Sequence, residues 1–337
     1  YVPPNFHPLN RLFFFMTDLP PQPPRHPLEQ DPEPSTPPVD DALTSVSTDP
    51  VAPQKRHPLE QPPPAPAAPP PGSTRVNLRI PAKSPTIAYI LIIANIVVFV
   101  IRLISPQIDS DLVQWGANNP VRVLEFGEYY RLFTSMFLHA GIFDGLGRYE
   151  FTNVLHLMFN MLVLYSAGTE MERFFGHVRF GLIYLFGGLT GAIFSTLLSD
   201  PNTYSIGASG AVFAILGAQL VFQYKHRRLF GVAGRARLQN TITLLAINLG
   251  YGLLANATGG PVRIDNWAHI GGALGGAALA WFIAPFYLVR RHPDNPADLL
   301  AEDINPLKGR YAAVSLYFCA MLVVLIAARL LTNNRLG

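Results

Sequence analysis

After residue 85 the chain becomes a succession of apolar stretches, each near the roughly 20 residues that a helix needs to cross about 30 Å of hydrocarbon. Seven can be marked, at about residues 86–105, 153–171, 178–199, 207–224, 238–256, 267–289 and 311–332. Charged residues make up only 14% of the 337, against roughly 25% in a soluble domain. The expectation is an all-α polytopic membrane protein. The second stretch is the weakest by hydropathy, because His156 and Asn160 open it and Glu170 and Glu172 lie near its end. Those two glutamates, with Arg173 beside them, read as an interfacial ion-pair cluster.

The preceding sequence obeys different rules. Residues 1–85 hold 24 of the 32 prolines. They are rich in Asp, Glu, Gln and Ser, so they cannot bury enough apolar surface to offset the entropy of ordering. A disordered, Pro-rich cytoplasmic tail is expected there. Arg-His-Pro-Leu-Glu-Gln occurs at Arg25–Gln30 and again at Arg56–Gln61; recurrence within low-complexity sequence and a duplicated partner-binding motif are the two readings. The apolar cluster Leu12–Met16 is shorter than the roughly 7–15 residues of a signal-peptide core, and Met16 opens a stretch that reads like a natural start. The expected division is tail 1–85, six-helix core 86–290, then a linker and seventh helix over 291–337.

Lys and Arg concentrate on one side of this arrangement, with Lys225, Arg227, Arg228, Arg235 and Arg237 in one short connection. The positive-inside rule then puts the N-terminus in the cytoplasm and the C-terminus outside a plasma membrane. The connection at about 106–152 carries Trp115, Tyr129, Tyr130, Phe133 and Phe137, which suits a segment lying in the membrane interface. The net charge of +3 comes with no basic run interleaved with aromatics, so no nucleic-acid partner is expected. Cys319 is alone and can form no intrachain disulfide. No cluster has metal-ligand spacing, and neither metal nor cofactor is expected.

Polar side chains inside a bilayer are costly, so the few present carry information. Ser209 stands in Gly207-Ala208-Ser209-Gly210 at the start of the fourth stretch, and His269 in Ala268-His269-Ile270-Gly271-Gly272 at the start of the sixth. With His156 and Asn160 at the start of the second, three stretches that enter from the same side bring all four residues to one depth. They should line one cavity open to the outer face. A serine hydroxyl needs an adjacent base to become a good nucleophile, and neutral histidine suits that task. Acyl transfer also needs donors for the developing oxyanion. The N–H groups at the start of the fourth helix qualify, and His156 and Asn160, on one face at i and i+4, add side-chain donors. Gly207 and Gly210 beside the serine, with Gly272 and Gly276 as a small-xxx-small ridge, let the helices approach closely.

Each piece alone has a blander reading. Gly-Ala-Ser-Gly is more often a packing patch than an active site, a lone intramembrane histidine is near even between the two, and an isolated Asn is more often interhelical glue. Shared depth turns the balance toward catalysis. Asp265 reads as a cap for the sixth helix, with a third triad member as the other reading.

In these motifs the chain resembles the rhomboid intramembrane serine proteases. The likeness rests on Gly207-Ala208-Ser209-Gly210, the Ala-His-x-x-Gly-x-x-x-Gly pattern from Ala268 to Gly276, and His156-x-x-x-Asn160. Tyr130-Arg131 followed by Phe137-Leu138-His139-Ala140-Gly141 adds to it. The resemblance implies a six-helix catalytic core with an extra C-terminal helix. It also implies a Ser209–His269 dyad, an oxyanion site from His156, Asn160 and the Ser209 N–H, and substrates that are transmembrane segments of other proteins, cut near the outer side. Two departures stand out. Ile142–Asn153 is an apparent insertion, and Phe213 occupies a position where some relatives have tyrosine packed on the histidine. The competing classes are a rhomboid-like pseudoprotease that binds membrane clients without cutting them, and a small transporter, against which no inverted repeat is visible.

Overall fold

The computed structural model describes residues 77–139, 151–258, 263–291 and 298–336. The repeated hexapeptides, the Met16 start and most of the 142–153 insertion lie outside the described residues. The chain enters through strand β1 (Asn77–Arg79) and helix α1 (Thr86–Arg102). Short helices α2 (Pro106–Gly116), α3 (Pro120–Leu124) and α4 (Arg131–Thr134) follow. Helix α5 (Phe151–Val163) runs through a wide π turn at Leu164–Gly168 into α6 (Thr169–Phe175). Then come α7 (His177–Leu198), α8 (Ser209–His226), α9 (Gly231–Ala257) and α10 (Asn266–Ile283), strands β2 (Tyr287–Arg291) and β3 (Asp298–Asp303), and α11 (Tyr311–Leu336). The seven expected stretches therefore appear as helices α1, α5–α6, α7, α8, α9, α10 and α11. By length and apolar composition His177–Leu198 and Leu307–Thr332 are sufficient to cross a membrane, and α1 is apolar but shorter.

The all-α expectation needs correction. A three-stranded sheet in the order β1-β3-β2 joins the two ends of the helical region, with β1 parallel and β2 antiparallel to β3. Residues 77–79, expected in the tail, and 298–303, expected in a linker, are thus strands. Their backbone donors and acceptors are satisfied by partners remote in sequence, as at Leu78 opposite Leu299. The sheet docks through Tyr287, whose N–H donates to His226 Nε2 at 3.0 Å and whose hydroxyl donates to the Phe174 carbonyl at 2.7 Å. Arg179 at the start of α7 pairs with Asp303 at 2.8 Å.

The start of α1 shows how a helix end can be finished from afar. Pro85 offers no side-chain cap. Instead the Glu172 carboxylate accepts the N–H groups of Ile87 at 2.8 Å and Ala88 at 2.7 Å, while His177 Nδ1 lies 2.5 Å from the same group. Glu172 is fully buried. The ion-pair cluster expected with Arg173 is corrected accordingly: Glu172 caps a neighbouring helix, and Glu170 pairs with Arg237 of α9 at 3.0 Å. A buried carboxylate is tolerable here because several donors replace its water.

Helices α7, α8 and α10 form the centre, with Ile183, Tyr184, Val212, Ile215, Leu279 and Ile283 in one apolar cluster. Helix α9 is little enclosed, burying only Gly234, Thr241 and Gly252 of its 27 residues. Helix α11 leans on α7 and on the 106–139 region. Its Tyr317 hydroxyl meets Thr190 at 2.6 Å, Leu325 packs with Val123, Leu132, Ala192 and Ile193, and Arg329 donates to the Tyr129 hydroxyl at 2.7 Å. The 106–139 region is itself held by buried cations. Arg102 donates to Asp109 at 2.6 Å and to the His139 carbonyl, and Arg131 donates to Glu128 at 2.5 Å and to the Ala117 carbonyl at 2.9 Å.

Candidate active site

Ser209 is the first residue of α8, and the turn that delivers it depends on Gly207. Its φ of 134° strains any residue bearing a Cβ. The Gly207 N–H donates to the Ser135 carbonyl at 2.9 Å, and just upstream Ser205 and Asn118 exchange backbone bonds as an isolated antiparallel bridge. The turn is therefore fastened to the 106–139 region on one side. An α-helix leaves its first N–H groups without intrahelical partners, and Ala208 supplies no side chain to take one. Such a helix start favours negative charge.

His269 lies in the first turn of α10, and the packing of α8 against α10 decides how near it comes. A Cβ on Gly272 would run into the Gly210 carbonyl oxygen, and one on Gly276 into that of Ala214. From α7, a Cβ on Gly191 would stand 2.6 Å from the Ala268 carbonyl oxygen. Gly272 and Gly276 are thus required by contact between backbones. Gly210 has more room, with the Ala268 carbonyl oxygen 3.5 Å from an added Cβ. The result is that Phe213, one turn beyond Ser209, lies flat on the His269 ring, centroids 4.1 Å apart and planes inclined by 5°. Among the described residues His269 Nδ1 is buried without a hydrogen-bond partner, and no hydrogen bond joins His269 to Ser209.

His156 reaches the same turn from α5. A Cβ placed on Gly207 would be 3.0 Å from His156 Cε1 and 3.7 Å from Ser209 Oγ, so both side chains flank one point. Asn160, one turn further along α5, is buried, and its Nδ2 donates to the His156 carbonyl at 2.8 Å. One of its amide hydrogens is therefore committed to its own helix. Ser209 and His156 are brought together beside Gly207, His269 stacks on Phe213 one turn further along α8, and Asn160 lies one turn beyond His156 on α5.

Two features were not legible from the motifs. His139 packs beside His156, ring centroids 5.5 Å apart, and both its ring nitrogens are buried without partners among the described residues. Burial, with His156 and Arg102 nearby, pushes its imidazole down to about 3, so it stays neutral. A small cleft of mixed polarity beside the turn is lined by Asn118, Ser135 and Ser205 with Met136, Ala192, Ile206 and Ala268, and by Gly188, Gly207 and Gly210. It is not the cavity expected of the four polar residues, since none of their side chains lines it. At Gly210 and Gly272 the two helices are in backbone contact, and Phe213 covers one face of the His269 ring. Asp265 takes the capping role, accepting the Ala268 N–H at 2.9 Å. Among the described residues, no group of three or more His, Cys, Asp or Glu is placed to hold a metal ion.

Residues 149–286 match the family model described as the Rhomboid domain. The chain is similar to Rhomboid protease GluP of Bacillus subtilis (strain 168), 38% identical over 194 residues that cover 57% of this chain and 34% of that protein. It is similar to RHOMBOID-like protein 1 of Arabidopsis thaliana, 34% identical over 218 residues, 64% of this chain and 50% of that protein. Rhomboid protease AarA of Providencia stuartii is 29% identical over 225 residues, 59% of this chain and 73% of that protein. The chain spans half or less of the length of the first two.

Proposed function

The chain belongs to the rhomboid family of integral membrane proteins, and from that premise we propose that it is a serine-type endopeptidase cutting transmembrane segments of other membrane proteins. Ser209 is the nucleophile and His269 its base. The observation that carries this reading is the joining of the two helix starts: α8 and α10 touch through Gly210 and Gly272, and Phe213 fixes the plane of the His269 ring.

In this reading Ser209 Oγ attacks the substrate carbonyl carbon while His269 takes the hydroxyl proton. The carbonyl oxygen becomes an oxyanion, met by the Ser209 N–H and by His156 and Asn160, each such donor contributing roughly 3–4 kcal/mol. Collapse of the tetrahedral adduct breaks the C–N bond, and His269 returns its proton to the leaving amine. Water, deprotonated by the same imidazole, then releases the acyl group and restores Ser209. The Ser209–His269 hydrogen bond forms on substrate binding, since catalytic hydrogen bonds are often long in the free enzyme.

The finer architecture belongs to the same proposal. Helices α1, α5–α6, α7, α8, α9 and α10 cross the bilayer as a six-helix core within 86–290, and α11 crosses as a seventh. The surplus of Lys and Arg around Lys225–Arg237 supports a cytoplasmic N-terminus and an outer C-terminus in the plasma membrane.

The test is cleavage of a membrane-anchored reporter by the wild type and by Ser209→Ala and His269→Ala. Cleavage by the wild type alone is expected. Cleavage that persists in either variant removes that residue from the mechanism, and no cleavage by any version favours a client-binding role without proteolysis.

A further inference from the structure

The Asp265 carboxylate does more than cap α10. While Oδ1 accepts the Ala268 N–H at 2.9 Å, Oδ2 accepts the Ser195 hydroxyl at 2.5 Å and also the Ser205 hydroxyl. These donors come from separate places. Ser195 sits in the last turn of α7, and Ser205 lies in the connection that leads into the Gly207 turn and Ser209. Asp265 itself precedes α10, and its backbone carbonyl accepts the N–H of His269 at 3.2 Å.

The surrounding polar groups extend the same tie. Ser205 is bridged to Asn118, whose side chain donates to the Ala192 carbonyl at 3.0 Å and accepts the Thr196 hydroxyl at 2.9 Å. The end of α7, the connection leading to Ser209 and the turn bearing His269 thus meet at one carboxylate, and the 106–139 region joins them through Asn118. Hydrogen bonds to an ionised group are about twice as strong as neutral ones, and a network with its members satisfied holds one arrangement of its elements. A cap alone requires only the Ala268 bond. The hydroxyl bonds serve no helix end.

We propose that Asp265 is a positioning residue that keeps the Ser209 turn in register with the His269 turn by holding Ser195 and Ser205. This rests on Ser209 and His269 being nucleophile and base. Asp265 touches neither side chain and acts through backbone placement. Loss of the tie lets the connection from Ser205 to Ser209 shift relative to α10, and a displacement of about 1 Å is enough to slow a reaction strongly.

The full chain in lipid bilayers, treated with a fluorophosphonate, gives a maximal labelling rate and a half-saturating probe concentration. Ser195→Ala/Ser205→Ala leaves the Asp265 cap intact, and it is expected to lower the maximal rate about tenfold with the half-saturating concentration unchanged. Ser195→Thr/Ser205→Thr, which restores both hydroxyls, should recover most of the rate. Asp265→Asn, which keeps a cap acceptor but weakens the shared oxygen, should behave like the alanine pair. Wild-type labelling by the alanine pair, or equal slowing by the threonine pair, overturns the positioning role. Failure of the wild type itself to label is a different result: it removes the Ser209–His269 chemistry, and the positioning role falls with it.

Discussion

Phe213 and His269 stack face to face at 4.1 Å with their planes 5° apart, joining the helix that carries Ser209 to the helix that carries the proposed base. An imidazole that must take a proton from one direction needs its ring plane fixed, and here an apolar ring does this without occupying either nitrogen. Aromatic pairs of this kind contribute about 0.5–1.5 kcal/mol beyond their buried area. Phe213→Leu should therefore reduce the labelling rate of Ser209 by roughly five- to tenfold, with Phe213→Tyr close to wild type. Equal rates for Leu and Phe would show that the stack does not orient His269.

The contact of α8 with α10 admits no side chain at Gly272, because a Cβ there meets the Gly210 carbonyl oxygen. Gly272→Ala should separate the helices, cost about 1–3 kcal/mol through overpacking, and abolish reporter cleavage. Gly210→Ala, where an added Cβ has 3.5 Å to the Ala268 carbonyl oxygen, should be the milder change. Thermal unfolding in detergent, read beside cleavage, separates the two.

Glu172 joins α6 to α1 through the Ile87 and Ala88 N–H groups. Glu172→Ala leaves two donors at a buried helix start, and with charged hydrogen bonds worth about 1.5–3 kcal/mol each it should lower the unfolding midpoint markedly. Glu172→Gln, retaining one acceptor, should lose less. A midpoint unchanged by Glu172→Ala would mean that α1 is held by packing alone.

The Glu128–Arg131 pair gives a pH dependence with a definite sign. The hydrogen bond from Arg131 holds the Glu128 carboxyl below its ordinary value, partly opposed by desolvation. A carboxylate depressed in the folded state contributes stability above its unfolded pKa, near 4.3, and that contribution is lost as pH falls through the lower folded value. Trp115 stacks on the neighbouring Tyr130 at 5.2 Å and reports on this region. Trp fluorescence should stay constant from pH 7 to about 5 and change only below the ordinary carboxylate range. Glu128→Gln should remove that transition; a midpoint near pH 6 in the wild type would point to another group.

The helices were legible because an apolar stretch of about 20 residues leaves few alternatives, and so was the placing of Ser209 and His269 at helix starts, each in a small-residue setting. The cap at Asp265 follows from an acidic residue just before an apolar helix. Its hold on Ser195 and Ser205 does not, since those partners lie 70 and 60 residues away. The sheet was hidden for a similar reason: Asn77–Arg79 and Asp298–Asp303 are short, mixed in polarity and strand-like only when paired. Arg102 closes the apolar helix α1 and is buried on Asp109, seven residues further on, a pairing that no spacing in the sequence marks. The turning of Asn160 onto the His156 carbonyl is a rotamer choice that i, i+4 spacing permits without requiring.

The most direct measurement is the site of modification by a fluorophosphonate, mapped by peptide mass spectrometry on the full chain in bilayers. A single adduct on Ser209 is expected, absent in Ser209→Ala and reduced by orders of magnitude in His269→Ala. An adduct on another serine, or labelling of Ser209 that is indifferent to His269→Ala, would contradict it.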